Sequence, residues 1–283
     1  MLATLNDVLL PARKGHYGVG LFNTVNLEMA RGVLAAAEAL RSSVIIGTAE
    51  VLLPYGPLLE LADLLLPMAR RATVPVVLHF DHGLTFENCM LALKYGFSSI
   101  MYDCSTLPYE ENLRQVRELI AVAHAFGATV EAELGHVGNA EGDDNVESTD
   151  PSAFYTDPAQ AGEFVARTGA DALAIAVGTA HGAYRFPPKL DFKRIETIAS
   201  LVSVPLVLHG GSGLTDEDFR HAIRSGISKI NIFTDLNLAG AAGTQQGFSE
   251  GKHSLTDLIP YQVQAIQEAT ENKIRLFGSK GKA

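Results

Sequence analysis

The feature that most constrains the fold is a regular alternation of short apolar runs with longer stretches of helical spacing. The apolar runs are eight predicted strands, at residues 16–23, 43–49, 74–81, 98–103, 128–135, 171–178, 204–210 and 228–233. Between them, stretches such as NLEMARGVLAAAEALR place apolar residues at i, i+3, i+4 and i+7, the period of an amphipathic helix. Strands that alternate with helices form parallel βαβ units, and nearly continuous apolar strands are buried on both faces.

The pattern predicts an α/β fold, a single-domain TIM (β/α)8 barrel over residues 1–283, with a doubly wound open sheet as the alternative. No low-complexity linker marks a second domain. Two segments break the even spacing. Residues 138–158 are acidic and rich in turn formers, which predicts a long active-site loop, and the Gly- and Ser-rich residues 240–254 predict a mobile connection before the last helix.

Charge and composition narrow the class of partner. A formal net charge of −10 argues against nucleic acid and anionic membrane as partners, since both favour a basic face. No apolar run approaches the roughly 20 residues of a membrane helix, and the N-terminus lacks the pattern of a signal peptide. With only two cysteines, Cys89 and Cys104, we expect a reducing, cytoplasmic location.

Three histidines follow predicted strands at the end where parallel barrels place their active sites. His82, His181 and His209 come at the ends of the third, sixth and seventh strands. Neutral imidazoles that converge with one position left open form a catalytic zinc site, which we favour over three separate hydrogen-bonded histidines. His79 is interpreted as a buried neighbour of the site, and the role of His136 stays open.

A glycine-rich turn after the seventh strand suggests a phosphate site. His209-Gly-Gly-Ser-Gly opens a predicted helix, whose N–H groups and dipole attract anions. Glycine also occurs in tight bends that bind no ligand, so the turn alone is weak evidence for a phosphate site. Its position after the seventh strand, together with Asn231 and Thr234 after the eighth, matches the place where TIM barrels bind phosphate.

Four carboxylates are candidate acids and bases: Asp81, Asp103, Glu133 and Glu141. Asp81 directly precedes a predicted ligand, so its alternative role is to orient a histidine. Glu141 lies in the long loop and has the alternative of a solvated charge. The residues alone therefore indicate a metal-dependent enzyme acting on a small phosphate, with the reaction type open.

Six motifs together resemble a known family. VLHFDHG, SSIMYDCSTLPYEEN, VEAELGHVG, AIAVGTAHG, PLVLHGGSG and KINIFT are similar, in order and spacing, to signatures of the class II fructose/tagatose-bisphosphate aldolases. The resemblance covers nearly the whole chain. It implies a TIM barrel, a catalytic Zn²⁺ and reversible aldol cleavage of a ketose (bis)phosphate to dihydroxyacetone phosphate and an aldehyde. It also implies a homodimer or homotetramer.

The resemblance assigns roles to individual residues. It implies zinc ligation by the three histidines, with Glu133 and Asp103 near an alternate metal position. It makes Asp81 the proton donor to the aldehyde oxygen and Glu141 the loop carboxylate that moves the proton at the enediolate carbon. The implied substrate-binding residues are Gly182, Gly210, Gly211, Ser212, Asn231, Ile232, Phe233 and Thr234, with Asn231 near the reacting carbons.

Departures from the family pattern leave the aldehyde partner open. The chain reads Gly47-Thr48-Ala49-Glu50 where family members often have a serine, and Phe233 replaces a small or acidic residue. Three other functions remain as alternatives. They are a Schiff-base enzyme using Lys229, a zinc-dependent sugar-phosphate epimerase or hydrolase, and a barrel kept as a binding module.

Overall fold

The computed structural model describes residues 1–138, 154–181 and 188–283, and its centre is a closed barrel of eight parallel strands. In chain order the barrel strands are β2 (Val19–Asn23), β3 (Val44–Ala49), β4 (Val76–Gly83), β5 (Ser99–Tyr102), β6 (Thr129–Leu134), β7 (Ala172–Ile175), β8 (Leu206–Leu208) and β9 (Ile227–Ile232). Each strand pairs with the next, and β9 returns to β2 through pairs such as Val19 with Lys229. All eight predicted strands are confirmed, and the TIM barrel is confirmed over the open sheet.

Helices surround the barrel. They are α1 (Leu5–Gly15), α2 (Leu27–Ala39), α3 (Leu58–Arg71), α4 (Phe86–Lys94), α5 (Tyr109–Ala125), α6 (Pro158–Thr168), α7 (Phe192–Leu201), α8 (Asp216–Ser225), α9 (Thr234–Ser249) and α10 (Leu255–Phe277). The residue before the first turn of several helices accepts a hydrogen bond from a backbone N–H group that would otherwise be unpaired. Asn26 does so for α2 and Thr85 for α4. No helix in these described ranges has the length and apolarity needed to cross a membrane.

Alternation along the strands separates two buried regions. Outward side chains such as Leu78 and Phe80 pack under the helices in the main apolar core. Inward side chains near the strand starts, including Val77 and Val207, form a smaller apolar core inside the barrel. Toward the strand ends the interior becomes polar, so the fold concentrates buried ionisable groups at one end of the barrel.

An N-terminal segment that the strand pattern did not predict closes the other end. The two-residue strand β1 (Leu2–Ala3) pairs with β4. Helix α1 then buries Leu5, Val8 and Leu9 against the apolar interior. The active-site end is therefore opposite the end that α1 fills.

The prediction of a mobile connection at residues 240–254 is wrong for most of its length. Residues 240–249 belong to α9, which packs against α10. The glycines permit close helix packing: a Cβ on Gly243 would lie 2.4 Å from the carbonyl oxygen of Tyr261, and one on Gly247 would lie 2.7 Å from Leu258. Only residues 250–254 connect the two helices.

The predicted active-site loop at 138–158 falls mainly outside the described residues. Gly138 is described at its start, and residues 154–157 lead into α6 at its end.

Candidate active site

A cavity of about 320 Å³ opens at the carboxyl ends of the strands. Asp81, His82, Asp103, His181 and Asn231 contribute to its walls. The lining also includes an apolar group, Ala49, Val51, Leu52, Leu84, Val137 and Gly138, and a group that we call the glycine-rich wall, Gly210, Gly211, Ser212, Ile232, Phe233 and Thr234. The cavity thus combines polar, apolar and glycine-rich surfaces.

The three predicted metal ligands meet at this cavity. One ring nitrogen from each of His82, His181 and His209 lies within 4.8 Å of the others. Nε2 of His82, Nε2 of His181 and Nδ1 of His209 are buried without a hydrogen-bond partner among the described residues, although Nδ1 of His209 lies 3.2 Å from Oε2 of Glu133. Three converging imidazole nitrogens could hold a metal ion, and the two that have no polar partner favour one, because buried polar atoms are otherwise almost always paired.

Carboxylates orient two of these rings through their other nitrogens. Nδ1 of His82 lies 2.8 Å from Oδ2 of Asp103, and Nε2 of His209 lies 2.8 Å from Oε1 of Glu131. A carboxylate that accepts one ring N–H leaves the second nitrogen as the one that can bind a metal, once that nitrogen carries no proton. These contacts therefore leave Nε2 of His82 and Nδ1 of His209 as the nitrogens that converge with His181.

The backbone at His82 is unusual. This residue has φ 43°, in the left-handed region, next to an irregularity in the pairing of β4 with β5. Glu50 holds the following turn, accepting hydrogen bonds from the backbone N–H groups of Leu84 at 2.7 Å and Thr85 at 3.2 Å. A non-glycine residue in this conformation is strained, and such strain clusters at functional sites.

The histidines carry different charges in the metal-free chain. Burial opposes a charge on His209, but Glu131 and Glu133 outweigh it and raise its pKa to about 10. Burial and the neighbouring rings of His82 and His209 lower the pKa of His181 to about 3. His209 is therefore an imidazolium at neutral pH, whereas His181 is neutral and ready to act as a ligand.

Two side-chain amides donate hydrogen bonds to Asp81, one to each carboxylate oxygen. Asn23 donates a hydrogen bond to Oδ2 at 2.9 Å, and Asn231 donates to Oδ1 at 3.0 Å. Burial by itself would raise the pKa of Asp81, but the charges of His82 and Lys229, with the ring of His79 3.7 Å away, hold it well below its ordinary value. Asp81 is therefore ionised and directed at the cavity.

Asp103 and Glu133, the predicted alternate metal ligands, have other contacts as well. Oδ1 of Asp103 accepts the hydroxyl of Ser105 at 2.7 Å, and that hydroxyl lies 3.1 Å from Nδ1 of His136. Oε1 of Glu133 accepts the N–H of Val137 at 3.1 Å. Each of Asp103, Glu133 and His82 nevertheless has one possible metal-ligand atom, and these three atoms lie within 4.8 Å of one another. The group therefore has the spacing of a second metal position.

The glycine-rich wall is built against the start of α9. A Cβ on Gly210 would lie 2.3 Å from the carbonyl oxygen of Ala180, and φ at Gly210 is 63°, so a side chain is excluded there on both counts. The hydroxyl of Ser212 accepts the N–H groups of Phe233 at 3.3 Å and Asp235 at 3.4 Å. The loop and the helix N-terminus thus form one concave, positively polarised surface.

Lys229 and His79 lie beneath the cavity. His79 is wholly buried, as expected, with Nδ1 2.8 Å from the hydroxyl of Ser99. Lys229 is also wholly buried, and its ammonium lies 2.7 Å from Oε2 of Glu131. An ammonium paired with a carboxylate is a poor nucleophile, which counts against a Schiff base.

Two residues of this arrangement have no role assigned from the sequence. Asn23 contacts Asp81, and Glu131 contacts His209. Both are polar residues at inward positions of apolar strands, which is the signal that identified His209 and Asn231. Two predicted residues, Glu141 and Gly182, lie outside the described parts of the chain.

Comparisons with known proteins agree with this geometry. The family described as "Fructose-bisphosphate aldolase class-II" matches residues 3–282. The fructose-bisphosphate aldolase of Geobacillus stearothermophilus is 40% identical over 100% of this chain and 99% of its own. That of Thermus caldophilus is 38% identical over 100% of both.

A solved structure extends the comparison to three dimensions. The crystal structure of the YdjI aldolase from Escherichia coli K12 has a TM-score of 0.90 and 39% sequence identity, and the match covers 100% of each chain. Full-length matches at this identity fix the reaction class as well as the fold. The chain belongs to the class II fructose-bisphosphate aldolase family and is an aldolase, a lyase that cleaves carbon–carbon bonds.

Proposed function

We propose that the protein is a zinc-dependent aldolase that reversibly cleaves a ketose (bis)phosphate to dihydroxyacetone phosphate and an aldehyde. The observation that carries the proposal is the convergence of three buried imidazole nitrogens beside an ionised aspartate. In an aldolase of this family, that combination supplies both parts of the chemistry. They are a site for a Lewis acid and a group that moves a proton.

His82, His181 and His209 would hold the zinc, with Asp103 and Glu131 orienting two of the rings. When bound, Zn²⁺ polarises the ketone carbonyl and stabilises the negative charge that develops on its oxygen. Glu133 and Asp103 are proposed as donors at an alternate metal position, as their spacing from His82 permits.

Asp81 would move the proton at the aldehyde oxygen. Since Asp81 is ionised, it is the base in the cleavage direction and takes the proton of the substrate hydroxyl as the carbon–carbon bond breaks. In the condensation direction it returns that proton. Asn23 and Asn231 hold both carboxylate oxygens, so the group is preorganised for the transfer.

The proposed phosphate site is the wall formed by Gly210, Gly211, Ser212 and the start of α9 at Thr234. Backbone N–H groups and the helix dipole favour an anion there. Ile232 and Phe233 line the same wall, and Asn231 lies between it and Asp81. Gly182 and the proton-transfer role of Glu141 belong to the proposal on the resemblance alone.

The experiment is a panel of ketose mono- and bisphosphates, assayed for dihydroxyacetone phosphate release through a coupled triose phosphate reaction. Each substrate is tested before chelation, after chelation and after zinc is restored. We expect release from at least one panel member, loss on chelation and recovery with zinc. The His181→Ala variant should lose this response, while His124→Ala, at a 45% exposed side chain, serves as the matched control.

Two outcomes would contradict the proposal. Turnover that survives complete zinc removal would exclude the metal role. Conversion of a sugar phosphate without triose phosphate release would favour the epimerase or hydrolase alternative. We also propose a homodimer or homotetramer, which a monomeric mass by light scattering would exclude.

A further inference from the structure

Lys229 contacts two residues of the candidate site, Glu131 and Asn231, at the same time. Its ammonium lies 2.7 Å from Oε2 of Glu131 and donates a hydrogen bond to Oδ1 of Asn231 at 2.7 Å. The Lys229 side chain and that of Glu131 have no solvent exposure, and Asn231 is 8% exposed. Neither contact of Lys229 is therefore weakened by competition with water.

Beyond these two neighbours, one contact on each side reaches a reacting group. Asn231 donates through Nδ2 to Oδ1 of Asp81 at 3.0 Å. Glu131 accepts through Oε1 from Nε2 of His209 at 2.8 Å. A continuous series of polar contacts thus runs from the proposed proton carrier to a proposed metal ligand, with Lys229 at its centre.

The position of the ammonium determines how both neighbours are turned. Because Lys229 has only donors, Asn231 must direct its carbonyl oxygen to Lys229, and its NH₂ group is then left to face Asp81. Because Lys229 occupies Oε2 of Glu131, Oε1 is left to accept from His209. That contact holds Nε2 of the His209 ring and leaves Nδ1 as the nitrogen that can bind a metal once its proton is lost.

We propose that Lys229 is a positioning residue, which fixes the amide of Asn231 behind Asp81 and the carboxylate of Glu131 behind His209 at the same time. The inference rests on the proposed function, because it concerns the metal ligand and the proton carrier of that reaction. It assigns no chemical step to Lys229, whose ammonium does not contact the substrate.

The test is Lys229→Met, which keeps the length of the side chain and removes its donors. We expect zinc affinity to fall about 10–100-fold, as it does when other residues that orient a metal ligand are replaced. At saturating zinc, we expect kcat for cleavage to fall about 10²-fold with little change in KM. Proton exchange at the reacting carbon of dihydroxyacetone phosphate, which needs no aldehyde, should fall much less, because Asp81 acts on the aldehyde oxygen.

Lys273→Met is the matched control. Lys273 also forms a 2.7 Å ion pair, with Asp235, and its side chain is 17% exposed, but it lies on α10 outside the series of contacts. The zinc affinity of the Lys273→Met variant should stay within about threefold of wild type, since no contact to a proposed ligand is lost. Zinc affinity is measured on the metal-free protein by chelator competition, so this readout does not depend on activity.

A purely structural role for Lys229 predicts a different pattern. Lys229→Met would then lose melting temperature but keep wild-type zinc affinity and kcat in its folded fraction, and this result would overturn the proposal. If the single variant does not fold, Lys229→Met combined with Glu131→Gln removes both buried charges. Recovery of zinc affinity and kcat to within threefold of wild type in that double variant would also overturn it. A wild-type protein without zinc-dependent cleavage would instead contradict the proposed function.

Discussion

Nε2 of His209 lies 2.8 Å from Oε1 of Glu131, and both side chains are wholly buried. On the other side of the ring, Nδ1 lies 3.2 Å from Oε2 of Glu133. The two carboxylates overcome the effect of burial and raise the pKa of His209 to about 10. A metal ion at Nδ1 must therefore displace a proton at every pH below that value.

The first prediction is a pH dependence of zinc binding. Between pH 7 and pH 9 the apparent association constant should rise about tenfold for each pH unit, because one proton leaves His209 on binding and that proton is harder to remove at lower pH. Chelator competition at each pH, corrected for the titration of the chelator, measures this association constant. Glu131→Gln removes a carboxylate that raises the pKa and should flatten the dependence. An association constant independent of pH over this range would exclude the proposed proton displacement.

The second prediction concerns Asp81→Asn. The variant keeps the shape of the side chain but cannot accept the substrate proton, so cleavage should fall about 10²–10⁴-fold. Zinc affinity should stay within about threefold, since Asp81 orients no ligand ring through a short contact. Asp63→Asn, at an exposed position of α3, is the control for substitution of an aspartate. Substantial turnover by a folded, zinc-loaded Asp81→Asn protein would remove Asp81 from the mechanism.

The third prediction separates orientation of a ligand from ligation. Asp103→Asn replaces the carboxylate that accepts Nδ1–H of His82 at 2.8 Å. Zinc affinity should fall about 10–100-fold, whereas His82→Ala should reduce it further because a ligand itself is lost. Equal losses in the two variants would argue that Asp103 ligates the metal, as the alternate position implies.

The fourth prediction tests why glycine stands in α9. Gly243→Ala should lower the free energy of unfolding by about 1–3 kcal/mol, since the new Cβ would lie 2.4 Å from the backbone oxygen of Tyr261 on α10. Gly162→Ala in α6 is matched, because it is also inside a helix but its Cβ would lie 3.5 Å from its nearest neighbour. That variant should gain about 0.5–1 kcal/mol from helix propensity. Thermal or denaturant unfolding compares the two, and a gain for Gly243→Ala would show that the helices can separate at no cost.

The sequence predicts the barrel well because its strands are buried on both faces. A strand such as β4 must be apolar outward for the helices and apolar inward near its start, so it reads as a continuous run that is easy to find. The polar residues at the ends of these runs are equally visible. For that reason the sequence alone places His82, His209, Asp81 and Asn231 at the strand ends, where the structure brings His82 close to His209 and Asp81 close to Asn231.

What the sequence does not predict depends on contacts between distant segments. Gly243 looks like a flexible residue until Tyr261 is placed against it. Asn23 looks like an ordinary strand end until its amide meets Asp81. Glu131 lies on an apolar strand of the sequence, but its role depends on the contacts that Lys229 and His209 both make with its carboxylate. Strand periodicity gives the facing of a side chain, whereas its partner is set by the barrel as a whole.

The pairing of β2 with β9, which we call the seam of the barrel, affects the order in which the barrel folds. The paired residues Val19 and Lys229 come from near opposite ends of the chain, so the seam carries the largest loop-closure entropy of the sheet and should form late in folding. The two amides that hold Asp81 lie on these two strands, Asn23 on β2 and Asn231 on β9. An intermediate with the helices formed and the seam open would hold the carboxylate by one side only. During refolding, recovery of catalysis should therefore lag behind recovery of helical signal and report the moment at which the first and last strands meet.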